Sequence, residues 1–101
     1  MSGLRHTSVV VASLSIGDDE PLLRYGDLVV TRPPGAVEID WELVAATVDP
    51  APVGRGAHHL TMVTADRRTL AGDAILVRSI HGTHVFRGAG PIDGFDPTAL
   101  D

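Results

Sequence analysis

Hydrophobic and polar residues alternate over much of this chain. The clearest stretch is AVEIDWELVAATV, residues Ala36–Val48. Val37, Ile39, Trp41 and Leu43 fall on one face, and Glu38, Asp40 and Glu42 on the other. A period of two marks a strand with one dry face, because successive side chains leave a pleated ribbon on opposite sides. A helix would scatter the same two sets around its circumference.

The remaining segments read in the same way. TSVVVASLSI (Thr7–Ile16) is rich in β-branched residues and is stopped by the turn-forming GDDEP. YGDLVVTR (Tyr25–Arg32) is a second run, broken at Pro33–Gly35. HHLTMVTA (His58–Ala65) and TLAGDAILVRSI (Thr69–Ile80) are strands joined through a hairpin turn at Asp66–Arg68. Gly72 inside the latter predicts a bulge or a bend. His81–Gly82 is a two-residue link into THVFRG (Thr83–Gly88), and glycine supplies the positive φ of a type I′ turn. DPAPVGRGA (Asp49–Ala57) is a loop, read as a flexible crossing or a flap. No segment sustains a 3.6-residue period; DDEPLLRY has room for one helical turn, with Pro21 near its start.

Six strands, short turns and no helix predict an all-β fold, a small antiparallel barrel or sandwich. A barrel leaves no exposed edge, whereas an open edge strand is free to pair with its copy in a homodimer.

At 101 residues the chain is one domain, 1–101, with 1–5 and 96–101 expected to be loosely ordered. Four aromatic residues make a thin core, which favours a homodimer. With 44% hydrophobic and 21% charged residues, the composition is that of a folded domain rather than a disordered chain. A net charge of -5 argues against nucleic acid as a partner, since that needs a cationic face. The absence of cysteine excludes disulfides, thiolate metal sites and cysteine catalysis. No apolar run exceeds four residues, the length of Val9–Ala12, far short of the ~20 residues of a membrane span, and MSGLRHTS lacks a signal-peptide core. A soluble, cytoplasmic protein without a membrane partner is therefore expected. All eight basic residues are Arg, and Lys, Asn and Gln are absent. That bias fits GC-rich codon usage in an actinobacterium-like source and carries no functional weight.

Five groups of residues bear on the chemistry. Glu38, Asp40 and Glu42 project from one strand face about 7 Å apart, a spacing at which carboxylates serve as acid and base if the face lines an enclosure. On an outer face they are simply solvated. His58 and His59 are sequential and point to opposite sides of a strand, so one metal cannot take both. His81 and His84 bracket a hairpin turn and would need a carboxylate such as Asp66 or Asp73 to make a metal site; with no HExxH and no Cys, no metal or other cofactor is expected. Ser8, Ser13, Ser15 and Ser79 lie in strands, and none occupies a nucleophile elbow. Arg78 and Arg87 flank the final hairpin and are candidates to grip an anion or a partner together. Trp41, Phe86 and Met62 are core anchors, or the walls of a ligand site if the barrel is hollow.

GTHVFRGAGPIDGF (Gly82–Phe95) is glycine-rich, yet no helical pattern follows Gly88-Ala89-Gly90. A phosphate loop needs a helix N-terminus there, so the stretch reads as a closing strand and its exit, with Phe86 and Phe95 plugging one end of the core. Gly82, Val85–Phe86, Gly88, Gly90, Pro91 and Phe95, within Leu60–Phe95, give a segment that resembles a small actinobacterial domain of unknown function, sometimes fused to flavin-dependent monooxygenases. That resemblance implies a compact β-rich accessory domain and no chemistry.

The expected function is a non-catalytic β domain that binds a protein partner or a small apolar ligand, using Trp41, Phe86, Met62, Arg78 and Arg87. One alternative is a cofactor-independent isomerase or cyclase, with Asp40 or Glu42 as acid/base and His84 as proton shuttle. The other is a structural assembly subunit built by edge pairing.

Overall fold

The computed structural model describes residues 5–100. Six strands form in chain order: β1 Arg5–Ile16, β2 Leu23–Arg32, β3 Asp40–Thr47, β4 Ala57–Thr64, β5 Thr69–Ile80 and β6 Thr83–Gly88. They close into an antiparallel barrel in the order β1-β2-β3-β6-β5-β4, with β4 returning to β1. Of the two all-β architectures the pattern allows, the chain adopts the barrel. Every strand has a neighbour on each side, but the long strands are shared along their length: Arg5–Val10 of β1 pairs with β2 and Val11–Ile16 with β4. Among the described residues, no helix is long and apolar enough to cross a membrane.

Alternation decides what lies inside. Leu28 and Val30 from β2, Leu43 from β3, Leu60 and Met62 from β4 and Phe86 from β6 are wholly buried in one cluster with Trp41, Leu70 and Ala74. Inward side chains fill the barrel, as is usual for small barrels. Register shifts near Ala12, Arg24 and Val77 break three of the ladders. Each shift gives one strand an extra residue, which sharpens its coil and helps six strands close.

The turns follow their residues. His81 and Gly82 both take positive φ, 51° and 83°, the signature of the type I′ turn. The β4–β5 turn places Arg67 at φ 68°; the Thr64 hydroxyl donates to Asp66 and accepts from the Arg68 amide.

Several expectations need correction. The β3 segment begins at Asp40, not Ala36, and Val37 is 94% exposed, because Pro33–Gly35 leave the chain outside the sheet until Asp40 pairs with Thr31. DDEPLLRY forms a turn and a bridge, Ile16 with Asp19, and then enters β2 rather than a helix. Gly72 makes no bulge; it stands in regular pairing opposite Leu60. The tail packs instead of fraying: Pro97–Leu100 is a 3-10 turn, Asp96 accepts from the Thr98 amide, and Leu100 is buried against the core. Arg5 begins β1 opposite Arg32, while residues 1–4 and 101 lie outside the described residues.

Candidate functional site

Inward side chains stack in layers along the barrel axis, and the two ends are closed differently. At one end Trp41 turns its indole across the opening. A Cβ on Gly88 would run into the Trp41 Nε1, and one on Gly72 would lie 2.8 Å from its Cζ2. The two glycines, facing from β6 and β5, leave the room that the ring occupies. The indole N–H donates to the Gly90 carbonyl at 2.9 Å, so the ring is fixed in rotation as well as position. Outside Trp41 lies a cleft of about 580 Å³ lined by Val37, Ile39, Trp41, Pro91, Ile92 and Phe95, with Arg32, Glu38 and Asp40 at its margin.

The next layer pairs Leu43 with Phe86 and Phe86 with Leu76. Phe86 therefore occupies the middle of the core rather than an end, and the His58 ring meets it edge-on at 6.1 Å between centroids. Phe95 is half-buried beside the Trp41 end.

At the opposite end His84 is 1% exposed and fully hydrogen-bonded. The extra residue at Val77 makes this possible. Inward positions on β5 run Leu70, Gly72, Ala74, Leu76; past the bulge the phase slips, and Ser79 faces in. The Thr47 hydroxyl donates to the Asp49 carbonyl at 2.6 Å, so it accepts from the His84 Nε2 at 2.9 Å. The His84 Nδ1 then accepts from the Ser79 hydroxyl at 2.7 Å, and the Ser79 oxygen accepts from the Val53 amide at 3.0 Å. One direction of donation satisfies every member with a neutral imidazole. Burial in turn holds the His84 pKa below its ordinary 6.5. The 49–56 loop is thus tied down at Asp49 and Val53. A second depression, of about 420 Å³, opens beside this network between Asp19, Glu20, Asp49, Pro52 and His58.

On the outer surface the hydrogen-bonded register lines residues up in rows. One row reads Val10, Asp27, Val44, Val85, Arg78 across β1, β2, β3, β6 and β5. The row toward the His84 end is Tyr25, Ala46, Thr83, Ile80; the row toward the Trp41 end is Val29, Glu42, Arg87, Ile75. Tyr25, Ile75, Val77 and Ile80 are each at least half exposed. Four adjacent strands therefore carry apolar groups outward, interrupted by two carboxylates on one side and two guanidinium groups on the other.

The sequence candidates are distributed over three places. Trp41, Phe86 and Met62 are all inside, as packed core. His84 faces inward, whereas Asp40 and Glu42 are exposed on the opposite face of β3, so the proposed acid/base and proton shuttle do not meet. Arg78 and Arg87 do not flank each other: the His81–Gly82 turn sets Ile80 opposite Thr83 and so Arg78 opposite Val85, while Arg87 pairs with Ile75. Asp73 engages His59 at 2.8 Å, outside the barrel and away from His84. No group of three or more His, Asp or Glu suited to a metal ion occurs among the described residues. Ser79 and Thr47 were missed as members of the buried network. Their signal was a polar residue at an inward position, visible only once the bulge is known.

Comparison with family models, with curated proteins and with solved structures returns no match.

Proposed function

We propose that this chain is a non-catalytic β-barrel module that works by binding another protein through the outer face of β2, β3, β6 and β5. The observation that carries this reading is the run of outward apolar residues, Val29, Val44, Val85, Tyr25, Ile75 and Ile80, on four adjacent strands. Soluble monomers seldom leave such a patch uncovered, and a polar rim around an apolar centre is the usual anatomy of a protein-binding surface. The wholly buried core that fills the barrel argues against an interior site for an apolar ligand. A photocrosslinking residue at position 44 tests the reading directly in cells. Adducts of defined mass are expected from position 44 and not from exposed Ser13 on β1. A chain that gives no adduct from position 44, 85 or 80 would refute it.

A second reading is favoured by the apolar cleft outside Trp41, whose volume suits a small molecule. Trp41 is the single tryptophan, so all tryptophan emission arises at the floor of that cleft, and paired variants locate the probe. Saturable energy transfer to an anilinonaphthalene sulfonate probe, abolished by Ile39→Glu but kept by Val44→Glu, is the result expected. Transfer that survives Ile39→Glu would place the probe elsewhere.

A further inference from the structure

The outer face is complementary to itself. Across β2, β3, β6 and β5 it carries Asp27 and Glu42 on one half and Arg78 and Arg87 on the other. Asp27 and Arg78 lie in the same cross-strand row, and so do Glu42 and Arg87. We infer that the protein bound by this face is a second copy of the chain, related by a two-fold axis running parallel to the strands between β3 and β6. The inference rests on the protein-binding reading above and names its partner.

Such an axis exchanges the halves while keeping each row at its own height. In one row Val44 meets Val85 of the second copy, and Asp27 meets Arg78 of the second copy. In the row toward the Trp41 end Glu42 meets Arg87 of the second copy, and Val29 meets its Ile75. Toward the His84 end Ala46 meets Thr83 and Tyr25 meets Ile80. Every carboxylate faces a guanidinium, and every large apolar group faces an apolar one. A two-fold axis perpendicular to the strands does worse. Set between the Val44 and Glu42 rows, it puts Val44 against Glu42 and Val85 against Arg87, charge against hydrocarbon; set through the Val44 row, it puts Asp27 against Asp27 and Arg78 against Arg78, like charge on like. An isologous contact needs a patch that matches itself under a two-fold, and only the strand-parallel axis supplies one. The curvature of a six-stranded barrel brings β3 and β6 into the centre. It puts β2 and β5 at the rim, where the longer Tyr25 and Arg78 side chains extend the contact.

Charge reversal in complementary chains tests this. Wild-type protein is expected to sediment at twice the chain mass at about 100 μM, a concentration that reveals micromolar affinity. Glu42→Arg gives a chain with two positive groups in its row, and Arg87→Glu gives one with two negative groups. Each alone is expected to sediment as a folded monomer by circular dichroism. An equimolar mixture is expected to recover the dimer, since the positive row of one chain then meets the negative row of the other. A wild-type monomer at that concentration would overturn the inference while leaving the crosslinking test of the face standing. A dimer that persists in both single variants would overturn it too. Thiol trapping gives an independent reading, because the chain has no cysteine of its own. A mixture of Val44→Cys and Val85→Cys chains should form mixed disulfides in preference to either symmetric product, and preference for the symmetric 44–44 product would refute the axis.

Discussion

Trp41 and His84 are both almost inaccessible to water, at 3% and 1% exposure, yet the barrel holds them by opposite means. Trp41 is held by shape: two glycines vacate the space of its ring, and one hydrogen bond to Gly90 sets its tilt. His84 is held by a directed series of hydrogen bonds through Ser79 and Thr47 that reaches the 49–56 loop at Val53 and Asp49. The first end answers to volume and is indifferent to protons. The second tolerates little change in polarity and is sensitive to acid. A small barrel has few residues with which to cap itself, and these two solutions use a large apolar ring and a neutral imidazole for the same task.

The difference can be broken most forcefully at the Trp41 end. Trp41→Ala should cost about 3–5 kcal/mol in urea unfolding, the usual result of emptying a buried aromatic site. A loss below about 1 kcal/mol would mean that the ring is not part of the core. Filling the space from the other side comes next. Gly88→Ala should destabilise by about 1–3 kcal/mol and shift the fluorescence of the single tryptophan to the red as the indole is pushed toward solvent. An unchanged spectrum and stability would show that the close approach has slack.

At the His84 end the effects should be smaller and of a different kind. Ser79→Ala removes the acceptor of the Val53 amide and the donor to Nδ1, at about 1–2 kcal/mol. Hydrogen exchange at Val53 should accelerate, while the Trp41 indole proton keeps its protection. Equal acceleration at both would deny that the two ends are independent. The pH dependence is the finest test. Burial lowers the His84 pKa in the folded chain, so as pH falls the unfolded chain takes up the proton first. The stabilisation is complete above the ordinary value of 6.5 and is lost as pH falls from there through the folded-state value. The stability advantage of wild type over His84→Gln should therefore shrink between about pH 7.5 and pH 5, because Gln carries no proton to exchange. A gap that stays constant over that range would show that the ring titrates alike in both states.

Much of this fold was legible in the chain. Period two in Trp41–Leu43 and in the Leu60–Met62 and Phe86 strands marked inward residues, because the side a residue takes is fixed within its own strand. His81–Gly82 marked its turn through the local demand for positive φ. The candidate sites were less legible. Asp40 and Glu42 were grouped with His84 by chemistry, though the alternation of β3 and β6 sends them to opposite sides of the wall. Arg78 and Arg87 both lie near the final hairpin, yet its register sets Arg78 opposite Val85 and Arg87 opposite Ile75. The extra residue at Val77 turns Ser79 inward, and nothing in its immediate neighbours announces a bulge.

The sequence by itself determined which segments are strands, the His81–Gly82 turn and the dry side of each strand up to any bulge, since these rest on residues one to four positions apart. Only the tertiary structure decided that the sheet closes, that Gly72 and Gly88 exist to admit Trp41, and that Ser79, His84 and Thr47 share a network. It also aligned Asp27 and Glu42 with Arg78 and Arg87 in rows across four strands. These outcomes depend on register between strands far apart in the chain, where a shift of one residue exchanges inside for outside.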